Sequence, residues 1–183
     1  MPRFPNSLYG LVCWIILGTG WTAAPCAASG IPQIVHLERP QFVDLAFPQK
    51  TPQRAMLRLT HDTLEQLQHI LGHEYRGRRI RYWRTAETTA WIFDEIGKEL
   101  PITIGIAVHK GEIALVRILV YREERGGEVH QGFFTSQFHQ ARLSADGDLT
   151  KPIDGITGAT LSVQAVTRIA RLALFLDKLV AQP

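Results

Sequence analysis

The sequence predicts an α+β fold: a single domain in which an antiparallel sheet is packed by helices. Strand-like runs rich in β-branched and aromatic residues occupy residues 89–96, 102–109 and 113–121. Their connections are too short for the crossovers that parallel strands need, so the strands should form a meander. Lys110-Gly111 is a hairpin signal between the last two runs. Apolar residues at helical spacing begin at Val163 and predict a helix across one face of the sheet.

Residues 1–28 are typical of a secretory signal peptide. Arg3 precedes an uncharged and largely apolar run, and small residues follow at 23–29, where a signal peptidase cuts. We therefore expect a mature protein that begins near Ser29 and works in the periplasm or another extracytoplasmic compartment. The run is also long enough to cross a bilayer, so membrane anchoring through an uncleaved N-terminal segment stays open as the alternative.

Cysteine and histidine usage limits the cofactors that the mature chain can hold. Both cysteines, Cys13 and Cys26, lie inside the predicted signal peptide. A mature chain without thiols excludes a disulfide framework, a cysteine zinc site, an iron–sulfur cluster and a thioether-linked haem. His69 and His73 stand four residues apart, but no third ligand is evident, so no metal site is predicted. Any redox chemistry would need a cofactor held in another way.

The region between the signal peptide and the strands divides in two. Residues 29–58 contain several prolines and predict an extended leader that lies over the domain, which itself comprises residues 59–183. Within that domain, residues 60–63 offer helix caps, and apolar residues at helical spacing follow until Gly72 or Gly77.

Residues 76–84 are the most basic stretch of the chain, with aromatic residues between the arginines. The formal net charge of the whole chain is only +3, and an exported protein of modest charge is a poor nucleic-acid binder, so no nucleic-acid partner is predicted. We expect these arginines to line one edge of the sheet or to meet an acidic or phosphate-bearing group.

A tight turn should precede the last helix. Gly158 permits a positive φ or a close backbone approach, and the apolar helical pattern follows directly. A helix start exposes unpaired N–H groups and the positive end of the macrodipole, so it favours a phosphate. The alternative is that Asp154 or Thr157 simply caps this helix. The turn reads Asp154-Gly155-Ile156-Thr157-Gly158-Ala159-Thr160.

This stretch resembles the Asp-x-x-(Ser/Thr)-Gly-Ala-Thr signature of the FMN-binding domain family. That domain occurs in Rnf-type and sodium-pumping NADH:quinone oxidoreductase complexes and in regulators of nitrous oxide reduction. The resemblance extends over roughly residues 82–179. It implies that a flavin transferase attaches FMN through a phosphodiester to the hydroxyl of Thr160. It also implies a cofactor-binding role for Asp154, Gly155, Thr157, Gly158 and Ala159.

Two later stretches extend the resemblance. The loop after residue 121 matches the family's Glu-Thr-Pro-Gly only at Glu123 and Gly126, and its Tyr-Arg-Glu-x-Arg-Gly pattern is closer to the nitrous-oxide-regulator branch. The resemblance implies that Glu123 and Gly126 lie near the flavin. Residues 134–138 resemble the family's Phe-x-x-Gln-Phe element. Phe133, Phe134 and Phe138 are expected in the core.

The resemblance implies an exported flavoprotein that carries FMN covalently and transfers electrons to or from a membrane redox partner. No set of nucleophile, base and orienting group is visible, so an electron carrier is favoured over a self-contained enzyme, and no catalytic residue is predicted. Two alternatives remain open: a sensory or regulatory module that holds FMN, and an exported structural domain whose motif stays unmodified.

Overall fold

The structure is a computed structural model that describes residues 33–181. The predicted signal peptide, residues 1–28, lies outside the described residues, as do the two cysteines. The described residues belong to one compact unit. In the described range, no helix is both long and apolar enough to cross a membrane.

The described residues form one antiparallel six-stranded sheet with helices on both faces, which confirms the predicted α+β fold. The strands lie in the order β1-β6-β5-β4-β3-β2, and all neighbours are antiparallel. The elements in chain order are β1 (Ile34–Val35), α1 (Arg39–Ala46), β2 (Gln53–Arg58), α2 (His61–Leu71), β3 (Arg79–Arg84), β4 (Thr88–Ile96), β5 (Pro101–His109), β6 (Glu112–Tyr121), a 3₁₀ turn (Gly127–His130), α3 (Gly132–Thr135), a second 3₁₀ turn (Ser136–Phe138) and α4 (Thr160–Ala181).

The larger core lies between the sheet and the helices α2 and α4. The predicted strands start at most one residue earlier than expected, and the hairpin turn at Lys110-Gly111 is present. The cap of α2 is Thr60, within the predicted residues 60–63, and the helix ends at Gly72, one of the two glycines predicted to end it. The stripe of α4 that begins at Val163 packs against the sheet. Fully buried members of this core include Trp91, Ile104, Ile106, Val166 and Leu172.

A smaller core lies on the opposite face, under α1. Phe42 is fully buried, and a Cβ built on Gly105 of β5 would lie 2.7 Å from its ring. Phe42 therefore packs directly on the backbone of the central strands, together with Leu119 of β6. This places α1 over the β5–β6 side of the face.

The leader differs from the extended segment that the prolines predicted. Its described part contributes β1 and β2, the two edge strands of the sheet, and the segment between them in sequence folds into α1. Pro40 falls in the first turn of α1, where its missing N–H would have had no helical partner. Glu38 and Gln41 form a capping box around it. A proline in that position begins a helix and does not prevent one.

Candidate functional site

The motif ends in a single β-turn. The N–H of Ala159 donates to the carbonyl of Ile156 at 2.9 Å, with Thr157 and Gly158 between them. Gly158 has a φ of 82°, whereas Thr157 has no positive φ. This is a type II turn, which requires a positive φ at its third residue and hence favours glycine there. The positive φ expected at Gly158 is confirmed.

α4 begins directly after the turn and its first N–H groups are open. The N–H of Val163 donates to the carbonyl of Ala159 at 2.9 Å, so Ala159 occupies the capping position and has no side-chain oxygen to cap with. Among the described residues, no side chain accepts from the N–H groups of residues 160–162, and neither Asp154 nor Thr157 caps the helix. A 22-residue helix therefore presents open N–H groups and its positive dipole end, a site that favours an anion.

Thr160 is the first residue of α4, and its side chain is exposed. No hydrogen bond joins its hydroxyl to another residue in the described part of the chain. Thr157 is also exposed, three residues before the helix begins. Leu161 stays 45% exposed and gives an apolar surface beside Thr160. The hydroxyl of Thr160 is therefore accessible at the mouth of the helix.

Gly126 packs against the first turn of α4. A Cβ built on Gly126 would lie 3.1 Å from the Cβ of Ala159, 3.0 Å from the hydroxyl of Ser162 and 2.9 Å from that of Tyr121. Gly126 also has a φ of 86°. The structure thus brings Gly126 together with the motif. Ala159 faces inward and is 3% exposed, so this close packing explains why its side chain is small.

Tyr121 joins this loop to α4. Its hydroxyl donates to the carbonyl of Arg125 at 2.5 Å and lies 2.9 Å from the hydroxyl of Ser162. Burial raises the pKa of Tyr121, and the hydrogen bond with Ser162 lowers it only in part, so the phenol stays protonated. The sequence argument did not select Tyr121 or Ser162. The sequence feature that could have identified this pair is the polar Ser162 within the apolar first turns of the predicted helix.

Glu123 organises the turn between β4 and β5. Its Oε1 accepts from the N–H groups of residues 98, 99 and 100 at 2.6, 2.7 and 2.9 Å. Burial by itself would raise the pKa of Glu123, but the three donors outweigh it and the pKa lies below its usual range. Arg122 reaches the same region, donating to the carbonyl of Pro101 at 2.9 Å. Glu123 therefore holds the loop that carries Gly126 against the sheet.

The start of the motif rests on the aromatic element. The N–H of Asp154 donates to the side-chain oxygen of Gln137 at 2.7 Å. Phe134 and Phe138 are fully buried, as predicted, and their rings meet edge to face. Phe133 is 57% exposed, so placing it in the core was wrong. Phe133 lies on the solvent side of the short helix α3, whose other side is buried.

Gly155 leaves open space beside the turn. It is exposed, its φ is not positive, and a Cβ built on it would meet nothing within 4 Å. The carboxylate of Asp154 next to it is exposed as well. The fold by itself therefore does not require a glycine at residue 155.

Residues 97–174 match the family model described as the FMN-binding domain. This part of the chain is therefore similar to the FMN-binding domain family. No curated protein matches the chain at a significant level. The matched range contains the loop after β6, the turn and the first two thirds of α4, so every predicted site residue falls within it. The match supports a flavin-binding protein with FMN as its cofactor.

The residues at the turn fit the phosphate end of this cofactor. Open N–H groups and the helix dipole match its negative charge, and the exposed Thr160 supplies a hydroxyl in the same place. The open space at Gly155 lets a bulky group approach. The geometry therefore agrees with FMN held at the start of α4.

Proposed function

We propose that this protein is an exported flavoprotein that carries FMN covalently on Thr160 and transfers electrons to or from a membrane redox partner. The observation that carries the proposal is the accessible hydroxyl of Thr160 at the open end of α4, inside the range that matches the FMN-binding domain. The match supports FMN as the cofactor. What we propose beyond the match is the covalent bond to Thr160, the extracytoplasmic compartment and the membrane redox partner.

Attachment is a phosphoryl transfer that a flavin transferase catalyses with FAD. The oxygen of Thr160 forms a bond to the phosphorus of the FMN half, the pyrophosphate bond of FAD breaks, AMP leaves and the hydroxyl proton is lost. The product is a phosphodiester with one negative charge at the start of α4. The N–H groups of residues 160–162 and the helix dipole stabilise that charge.

The turn presents the acceptor oxygen in a defined position. It is held on one side by the bond from Asp154 to Gln137, and on the other by the contacts of Tyr121 and Gly126 with α4. Fixing the acceptor in this way lowers the entropic part of the barrier to transfer. The carboxylate of Asp154 would repel a nearby phosphodiester, so we assign it to the transferase's recognition of the turn.

The flavin supplies the electron-transfer chemistry when it is bound, and the protein supplies placement and electrostatics. A covalent bond keeps the cofactor on a protein that works outside the cytoplasm. The apolar segment at residues 1–28 supports export, and it supports membrane anchoring if it is retained. The complexes in which this domain family occurs support a membrane redox partner.

A sensory role is the second candidate. The loop from Tyr121 to Gly126, with its Tyr-Arg-Glu-x-Arg-Gly pattern, favours the regulator branch of the family. The two candidates differ in whether the flavin exchanges electrons rapidly with a membrane partner. Rapid reduction or oxidation of the flavin by a co-purified membrane partner supports a carrier, whereas a bound partner without electron exchange supports a sensor.

The decisive experiment is co-expression of the full chain with a flavin transferase, followed by intact-mass measurement after denaturation. We expect a mass increase of one FMN phosphodiester, mapped by peptide analysis to Thr160. Thr160→Ala should abolish it. Thr157→Ala is the matched control, because it removes a second exposed hydroxyl from the same turn and should only slow attachment. Flavin retained in Thr160→Ala, or mapped to Thr157 in the parent protein, would contradict the assignment.

A further inference from the structure

A basic groove lies on the face of the sheet that carries α1. It has a volume of 720 Å³, and we call it the arginine groove. Its lining residues all lie between residues 39 and 93, outside the range that matches the FMN-binding domain. The flavin site therefore does not account for it. The lining includes Arg39, Arg54, Met56, Arg79, Arg81 and Trp83.

Positive charge in and beside the groove is largely uncompensated. The register places Arg58 of β2 directly opposite Arg79 of β3, an arrangement that destabilises a sheet. Within residues 33–181, no salt bridge involves Arg54, Arg58, Arg79 or Arg81. Arg39 alone approaches an acid, Asp94, at 3.9 Å, with both side chains more than half exposed. Among the described residues that line the groove, Asp44 is the one acid, so a clear excess of positive charge remains there.

The groove adjoins a free strand edge. β2 is the last strand on its side of the sheet in the described part of the chain. The N–H of Leu59 donates to the carbonyl of Arg78, and hydrogen-bonded pairs alternate along an antiparallel ladder. The N–H and C=O groups of residues 54, 56 and 58 therefore point away from β3. Arg54, Met56 and Arg58 also share the face that carries the groove, because side chains alternate along a strand.

We propose that the edge of β2 and the arginine groove bind an extended acidic segment of a partner protein, which adds to the sheet as a further strand. Backbone hydrogen bonds would give affinity, and alternate side chains would give specificity. Residues opposite Arg54, Met56 and Arg58 would point over the groove. The recognised pattern is an acidic residue, any residue, an apolar residue, any residue and a second acidic residue.

Charge and shape select this occupant over the others. A second copy paired through β2 would set arginines against arginines. Residues 1–32 of this chain contain no Asp or Glu, so they do not supply the acidic side chains. The groove is a recess between α1 and the sheet, which suits a narrow chain, whereas a flat bilayer meets a convex or level surface.

Peptide titration of the full chain tests the proposal, with Trp83 as the reporter because it is half-buried in the groove. A Ser-flanked, end-capped peptide containing Glu-Thr-Val-Thr-Glu should change the tryptophan emission saturably, and Trp83→Phe should remove that signal. The isomer Thr-Glu-Val-Glu-Thr should bind about tenfold more weakly, because its acids cannot reach Arg54 and Arg58 together. N-methylation of the central valine removes a strand donor and should weaken binding by a similar factor.

Arg54→Glu should weaken binding about tenfold, whereas Arg76→Glu should change it less than about threefold. Arg76→Glu makes the same charge change in the arginine-rich stretch 76–84, but Arg76 does not line the groove, whereas Arg54 does. The peptide comparisons use the unmodified protein, so they hold even if a variant misfolds. Equal binding of both Glu isomers, equal losses in the two variants, or binding of phosphatidylglycerol vesicles in place of the peptide would each overturn the proposal.

Discussion

The turn at residues 154–160 and the arginine groove are built in different ways. The turn consists of consecutive residues and is held by small side chains and hydrogen bonds, with its polar groups left open to an anion. The groove draws its residues from α1, β2, β3 and β4 and presents charges that repel one another. A site made of neighbours in sequence can be recognised as a motif. A site made of cross-strand neighbours becomes visible only when the register is known.

The two regions are also supported by different helices. The turn is attached to α4 and to the loop after β6, whereas the groove uses α1 as its wall. Changes in one region should therefore leave the other intact, and the predictions below test that independence. They run from the largest expected effect on the free energy of unfolding to the smallest.

Phe42→Ala should lower the free energy of unfolding by about 3 kcal/mol, because it empties a fully buried aromatic position between α1 and β5. The wall of the groove should loosen, so the acidic peptide should bind more weakly. Covalent flavin should still form on Thr160. Urea unfolding, peptide titration and intact mass measure the three effects. A folded variant that no longer accepts flavin would show that the two regions are coupled.

Gly126→Ala should lower the free energy of unfolding by about 2 kcal/mol, from the positive φ and the contacts of the new Cβ with α4. Flavin attachment should fall, because the first turn of α4 is displaced. Gly155→Ala is the matched control and should stay within about 0.5 kcal/mol of the parent, since its Cβ meets nothing. Thermal unfolding of both variants measures the two losses of stability. A larger loss in Gly155→Ala than in Gly126→Ala would contradict the packing described here.

Tyr121→Phe should cost about 1 kcal/mol, because it removes the hydrogen bond to Arg125 and leaves the hydroxyl of Ser162 without that partner. Attachment of flavin should become slower while peptide binding stays unchanged. A double-mutant cycle with Ser162→Ala checks the contact. Additive effects of the two changes would mean that the hydroxyls do not stabilise each other.

Glu123 should give the smallest effect, visible as a dependence of stability on pH. Its pKa in the folded protein lies below the ordinary value, so its ionised form stabilises the fold. That contribution is present above the unfolded pKa of about 4.3 and is lost as the pH falls through the lower folded value. Glu123→Gln should remove this part of the pH dependence. An unchanged pH profile of unfolding in the variant would mean that the three backbone bonds contribute nothing.

Several elements followed from local patterns. The strands, the hairpin at Lys110-Gly111, the limits of α2 and the start of α4 depend on alternation, turn residues and caps, all of which lie within a few residues of one another. The helix α1 was missed because proline was read as a sign of extended chain, whereas its effect depends on where in the helix it falls. Phe133 was misplaced because three aromatic residues close in sequence can face opposite sides of one short helix.

The sequence by itself determined the α+β class, the tight turn before the last helix and the resemblance to a flavin-binding domain, because each is written in contiguous residues. Tertiary structure decided which residues support that turn. Gly126 and Ala159 touch across 33 positions of sequence, Tyr121 meets Ser162, and Glu123 serves a turn that precedes it by more than 20 residues. It also decided that arginines from β2 and β3 share one face beside a free edge. Such contacts depend on strand register and helix docking, which hydrophobic burial over the whole chain sets, so no local pattern specifies them.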